Sequence, residues 1–125
     1  MKAARAVSKR RIAAAKELAA KVTAELESLA MSGSKLEICV SEREHLDASG
    51  ADGIDFLFTP FPGSPQMPMG KSASGGELSR LMLALELVAA EKHVVAGGSV
   101  PPMTFIFDEV DAGVGGKTAV ELGAR

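Results

Sequence analysis

The sequence predicts an α/β fold led by a long helix, and three observations carry that prediction. Residues Ala3 to about Ala30 are dense in Ala, Lys, Glu, Leu and Arg and hold no Gly or Pro, the composition of an uninterrupted helix. Lys35 to Ser41 (KLEICVS) alternates apolar Leu36, Ile38 and Val40 with other residues, as a half-buried strand does. Met103 to Phe107 is a short apolar run without alternation, which suits a strand buried on both faces of a sheet. At 125 residues, 46% hydrophobic and 24% charged, the chain is at most one ordinary globular unit.

Taken in order, the first helix would be about 40 Å long. Its residues Ile12, Ala15, Ala19, Val22, Leu26 and Leu29 fall at alternating steps of three and four, a heptad stripe too short to establish a coiled coil by itself. Ser32, Gly33 and Ser34 close this helix, and the first strand and a polar loop follow. Ile54 to Phe58 (IDFLF) is the second strand. TPFPGSPQMPMG then holds four of the six prolines and reads as a long functional loop without regular structure. A helix opens at Ser74 and runs to about Val95, with Leu78, Leu81, Met82, Leu85 and Val88 on its apolar face. Ala96 to Gly98 end it, and the Met103 to Phe107 strand follows. A glycine-rich loop from Ala112 to Gly116 feeds a last helix that stops at Arg125. Both termini fall inside helical segments, so the sequence is expected to be a piece of a longer protein.

Composition excludes several function classes. No apolar run approaches the roughly 18 to 20 residues that cross a bilayer, and the N-terminus lacks the apolar stretch of a secretory signal, so a cytoplasmic location is expected. The single Cys39 rules out an internal disulfide and a multi-cysteine zinc site, and is expected in the core. Five Phe with no Trp or Tyr leave no stacking platform for single-stranded nucleic acid. The net charge of −2 conceals an asymmetry: residues 1–30 carry +4 and the remainder −6. The basic helix can serve as a solvated face or as an arm that touches phosphate backbone.

Two segments carry chemistry. In KSASGGELSR, Ser74 and Glu77 have the spacing of a capping box, the hydroxyl accepting from the amide of residue 77 and the carboxylate from the amide of residue 74. The glycines Gly75 and Gly76 are more than a cap requires, since each costs about 1 kcal/mol against Ala in a helix. Bare amides at the positive end of a helix suit a phosphate. In TFIFDEVDAGVGG, a strand ends in adjacent Asp108 and Glu109. Successive strand residues point to opposite sides, so one carboxylate can serve Mg²⁺ while the other addresses a water. Two near-matches to a phosphate loop fail: Gly70-Lys71-Ser72 and Gly116-Lys117-Thr118 lack the leading glycine, with Pro65 and Asp111 at that position. His45 and His93 lack partners at metal or triad spacing and read as surface residues. Met67 and Met69 read as loop packing.

With ASGGELSR (Ala73 to Arg80) and FIFDEVDAGVGG (Phe105 to Gly116) in view, the chain resembles the ATP-binding-cassette superfamily and, within it, the RecN type of DNA double-strand-break repair ATPases. PMGKSASGGELSRLMLALELVAA and FIFDEVDAGVGGKTA look like that family's signature and Walker B regions, and GIDFLFTPFPG also fits. The resemblance implies an end of a coiled-coil arm over residues 1–31. It implies part of an ATPase head, the second lobe of a phosphate-loop NTPase-like sheet, over 32–125. It assigns Ser74, Gly75, Gly76 and Glu77 to the signature motif, which faces ATP bound to the opposite head. Asp108 takes the Mg²⁺ role, Glu109 the catalytic role of orienting and deprotonating the attacking water, and Asp111 a place at the head dimer interface. Arg80 helps fix the signature segment.

The implied cofactors are ATP and Mg²⁺. The implied partners are double-stranded DNA ends and a second head in a homodimer, in the cytoplasm at the nucleoid and without a membrane. A Walker A loop, a Q-loop and a switch histidine are not identifiable, so the 125 residues alone are expected not to hydrolyse ATP. Another ATPase related to the SMC proteins is the close variant. The alternative from a different class is a non-catalytic module that binds DNA or protein through the basic helix.

Overall fold

The computed structural model describes residues 2–95 together with 104, 106, 120, 123 and 124. The long helix α1 spans Lys2–Ser28, as its run of strong helix formers dictates. Only its C-terminal part is buried: Ala15, Val22 and Leu26 turn inward, whereas Ile12 is 46% exposed. The stripe that spaces like a heptad therefore packs within the chain, against the sheet and the later helix. The helix does not wait for Ser32 to Ser34 to end. Ala30 takes a positive φ of 62°, and the Met31 amide donates back to the Leu26 carbonyl at 3.1 Å, a left-handed cap of the Schellman kind. Met31, at 6% exposure, drops into the core beside Leu26. Gly33, with φ of 81°, sits so close to Pro62 that a Cβ there would lie 2.9 Å from the proline Cδ. Only glycine meets both demands.

Strands β1 (Lys35–Asp47) and β2 (Gly50–Thr59) form an antiparallel hairpin, with Lys35 opposite Thr59, Leu36 opposite Phe58 and Asp47 opposite Gly50. Both strands outrun the sequence expectation. Residues Glu42 to Asp47, expected as a loop, continue β1 although exposed, because the pairing to β2 that Glu42 and Asp47 make needs no apolar alternation. The register shifts between Glu42 and Asp47, and the turn closes when the Ser49 amide donates to the Asp47 carboxylate at 2.7 Å, an Asx turn. The proline-rich loop also holds regular structure: β3 (Met67–Pro68) pairs antiparallel with β2, Met67 opposite Phe58. Proline is tolerated there because β3 is the sheet edge. A one-turn helix α2 (Met69–Ser72) and α3 (Gly75–Val95) complete the described elements.

The core lies between the sheet and a layer made by α1 and α3. Val22, Leu26, Leu29, Leu36, Phe58, Leu81 and Val88 are its largest fully buried side chains. On α3 the buried hydrophobic positions are Leu81, Leu83, Ala84 and Val88, while Met82 is 41% exposed, so Met82 does not belong to the packed face. Cys39 is half-buried, not a core residue. Thr23 clasps helix to sheet, its hydroxyl accepting from the Leu36 amide at 3.2 Å. No helix of the described residues is long and apolar enough to cross a membrane.

The fold class is α/β in the broad sense, with an antiparallel three-stranded sheet. The buried strand that the apolar run Met103 to Phe107 predicts is not among the described elements. Of that run, Thr104 and Ile106 are described, both outside any strand, and Ile106 is 91% exposed. A strand buried on both faces takes its burial from neighbours on each side, and the described strands pair only with one another.

Beyond the core, an ionic cluster ties α1 to the far end of the hairpin. Arg11 Nη1 donates to Asp52 Oδ2 at 2.9 Å, Arg11 Nη2 to the Ser49 carbonyl at 2.6 Å, and the Ser8 hydroxyl to Asp52 Oδ1 at 2.6 Å. Asp52 is 6% exposed. The Ser8 and Arg11 hydrogen bonds, with the Arg11 charge, hold its carboxyl below the ordinary carboxylate range. A lowered native pKa contributes stability above the unfolded value and loses it as pH falls through the native one. The urea midpoint of the wild-type chain is therefore expected to fall below about pH 4 more steeply than that of Asp52→Asn. Parallel pH profiles for the two proteins would remove Asp52 from the acid transition.

Candidate functional site

The site is the start of α3, and its position follows from packing. Met69 and Ala73, on the approach, pack against the core, and Leu81, Ala84 and Val88 anchor the helix behind them. Ala73 is extended, with φ −99° and ψ 142°, and so separates α2 from α3 and presents Ser74 at the junction. Ser74 and Gly75 are exposed, Glu77 is half-buried and Gly76 is buried.

The capping box forms as the spacing predicts. The Ser74 amide donates to Glu77 Oε2 at 2.9 Å, the Glu77 amide donates to Ser74 Oγ at 3.3 Å, and the Leu78 amide reaches the Ser74 carbonyl at 2.8 Å. The reciprocal bonds leave the first-turn amides of Gly75 and Gly76, which have no intrahelical acceptor by geometry. Gly75, exposed and with no side chain beyond hydrogen, lets an anion approach the backbone closely, whereas Gly76 is buried. The acid of the first turn, Glu77, is engaged in the cap, so part of its charge is already met by the Ser74 amide. One turn on, Arg80 is buried at 6% exposure, within the helix that carries the site.

The structure brings Ser74, Gly75, Gly76 and Glu77 together in one turn. Asp108, Glu109 and Asp111, the loop from Ala112 to Gly116, the near-match at Gly116-Lys117-Thr118 and most of the final helix lie outside the described residues, as does the end of α3 at Ala96 to Gly98. The other near-match, Gly70-Lys71-Ser72, is helical in α2 and follows the edge strand directly, which is not the strand-loop-helix cradle of a phosphate loop. Among the described residues, no three His, Cys, Asp or Glu side chains gather into a metal-holding group. His45 is exposed on β1, and the His93 side chain lies outside the described residues. Met67 is 39% exposed, whereas Met69 packs on the core.

Sequence reasoning missed the Ser8, Arg11 and Asp52 cluster. Its available signal was Ser8 and Arg11 at a spacing of three, on the same helix face as Ala15. Nothing local marks Asp52, in the run SGADGID, as their acceptor.

No family model matches the chain. Its sequence is similar to curated proteins named DNA repair protein RecN. The one from Streptomyces coelicolor is 46% identical over 134 aligned positions, a match covering 98% of this chain and 22% of the relative. That from Mycobacterium tuberculosis is 43% identical over 90% of the chain and 21% of its own length. The Vibrio cholerae protein is 38% identical over 97% of the chain and 21% of the relative. The chain thus spans about a fifth of the length of the relatives it matches.

Proposed function

Because the chain belongs to the RecN family of DNA repair proteins, we propose that it supplies one half of a composite ATP site in a DNA repair ATPase. The capping box at the start of α3 carries this reading. It fixes a glycine-bearing first turn, with Gly75 exposed, at the positive end of a 21-residue helix, a setting that fits a terminal phosphate.

In this reading Ser74, Gly75 and Gly76 contact the terminal phosphate of ATP held by the opposite head, and Glu77 holds Ser74 in place. Asp108 helps hold Mg²⁺, whose charge offsets that of the phosphates during transfer. Glu109 orients the attacking water and accepts its proton. Asp111 lies where two heads meet. Residues 1–31 end a coiled-coil arm, and 32–125 form part of the second lobe of an ATP-binding-cassette head. Such heads close in pairs on ATP, and opening after hydrolysis is passed to DNA through the arms, in the cytoplasm at the nucleoid.

Ser74→Arg in the whole natural polypeptide tests the assignment. A long cation at the head-to-head surface is expected to abolish the ATP-dependent dimer seen by light scattering at concentrations where the wild type dimerises, with ATP binding retained. An unchanged ATP-dependent dimer overturns the role given to Ser74.

A further inference from the structure

The α1 helix carries a basic stripe that folding leaves open. At 100° per residue, Lys2, Arg5, Lys9 and Lys16 fall within a sector of about 60°, and all four are exposed. The sector lies well away from the inward face of Ala15, Val22 and Leu26. Its four cations stretch about 21 Å along the axis, and no acid enters it before Glu27. The other cations of the helix include two used elsewhere: Arg11 on Asp52 at 2.9 Å and Lys21 on Glu17 at 3.3 Å. Small exposed residues, Ala6, Ala13 and Ala20, flank the stripe and let the helix surface come close to an extended partner. The rest of the chain is net negative, and the outer half of β1 exposes Glu42, Glu44 and Asp47. Glu42 and Asp52 line a groove beside Arg5 and Lys9, so the stripe is open on the side of Ala6, Ala13 and Ala20.

We propose that this stripe is a duplex DNA backbone contact, with Lys2, Arg5, Lys9 and Lys16 neutralising phosphates along the helix. A straight row of single-sign charge over about 21 Å complements a polymer that carries one negative charge per about 1.7 Å of axis. The helix has no aromatic residue, so base stacking contributes nothing and the contact is independent of sequence. The inference rests on the reading of the chain as part of a DNA repair protein and goes further by naming the surface.

The test is fluorescence anisotropy of the whole natural polypeptide with a mixed-sequence duplex, from about 50 to 200 mM salt, the range over which phosphate contacts show themselves. The variant Lys2→Gln, Arg5→Gln, Lys9→Gln, Lys16→Gln keeps good helix formers, and circular dichroism checks its fold. Lys21→Gln, Lys35→Gln, Arg43→Gln, Lys71→Gln changes the charge equally elsewhere. Four lost phosphate contacts should flatten the log-log salt dependence by about 3 to 4 and cost about a hundredfold or more in affinity at the low-salt end, with the control variant losing far less. Equal slopes in wild type and the stripe variant overturn the proposal. So do equal losses in both variants, failure of the wild type to bind duplex, or displacement of the duplex by polyglutamate at matched charge. ATP binding, measured in parallel, is expected to be the same in all three proteins, and its absence from the wild type counts against the nucleotide reading alone.

Discussion

Glu109→Gln in the whole natural polypeptide is expected to leave ATP binding intact and lower steady-state turnover by about a hundredfold or more, the usual scale for loss of a general base. The amide keeps the size and planarity of the carboxylate but cannot take a proton from water. Asp108 is untouched, so the metal-holding side of the assignment persists. Heads that close on ATP and cannot hydrolyse it stay closed, and light scattering should show a dimer that outlives the wild-type one. Retained turnover refutes the role of Glu109. Loss of ATP binding together with turnover refutes the separation of roles between the two adjacent acids.

Phe58→Ala carries the largest expected effect on folding. Phe58 is fully buried in the central strand of the sheet, opposite Leu36 on one side and Met67 on the other, and the helix layer closes over it. Truncation of a buried phenylalanine costs about 3 to 5 kcal/mol, a large share of the roughly 5 to 15 kcal/mol that holds a domain together. Phe61→Ala is the matched control, because Phe61 is 61% exposed, and its effect should stay within about 0.5 kcal/mol. Urea unfolding of both variants checks the pair. Similar midpoints for the two would place the core elsewhere.

Legibility tracked the range of the interactions. The capping box is closed by residues three apart, so Ser74 and Glu77 announce it without any knowledge of the rest. The apolar halves of β1 and β2 were equally plain, because Leu36, Ile38 and Phe58 alternate as a half-buried sheet requires. The polar half of β1 was not, since Glu42 and Asp47 are held by pairing to β2 across a register shift and not by burial. The end of α1 was misplaced for a related reason. Alanine does not announce a left-handed turn, and Ala30 adopts one because Met31 is drawn into the core. On α3 the apolar residues run almost around the helix, so the inner face was decided by contact with α1, and Met82 was left outside. The Asp52 cluster joins groups more than 40 residues apart, and no local pattern encodes it. Asp108, Glu109 and Asp111 rest on the sequence and its family resemblance.

The staple formed by Arg11 and Asp52 has a mechanical meaning. Lys2 lies about 14 Å along the helix axis from Arg11, and Arg11 about 6 Å from Ala15, where burial begins. A sideways load on the part of α1 that precedes Arg11 is therefore borne by the staple before it reaches the hydrophobic contacts. The hairpin tip, gripped through Asp52 and the Ser49 carbonyl, must swing with the helix. Gly50 completes the joint: with φ of 110° and a Cβ position 3.0 Å from Arg11 Nη1, it lets the guanidinium seat flush on the turn. The first turns of α1 and the turn end of the hairpin are thus tied to each other directly, ahead of the contacts that the core supplies.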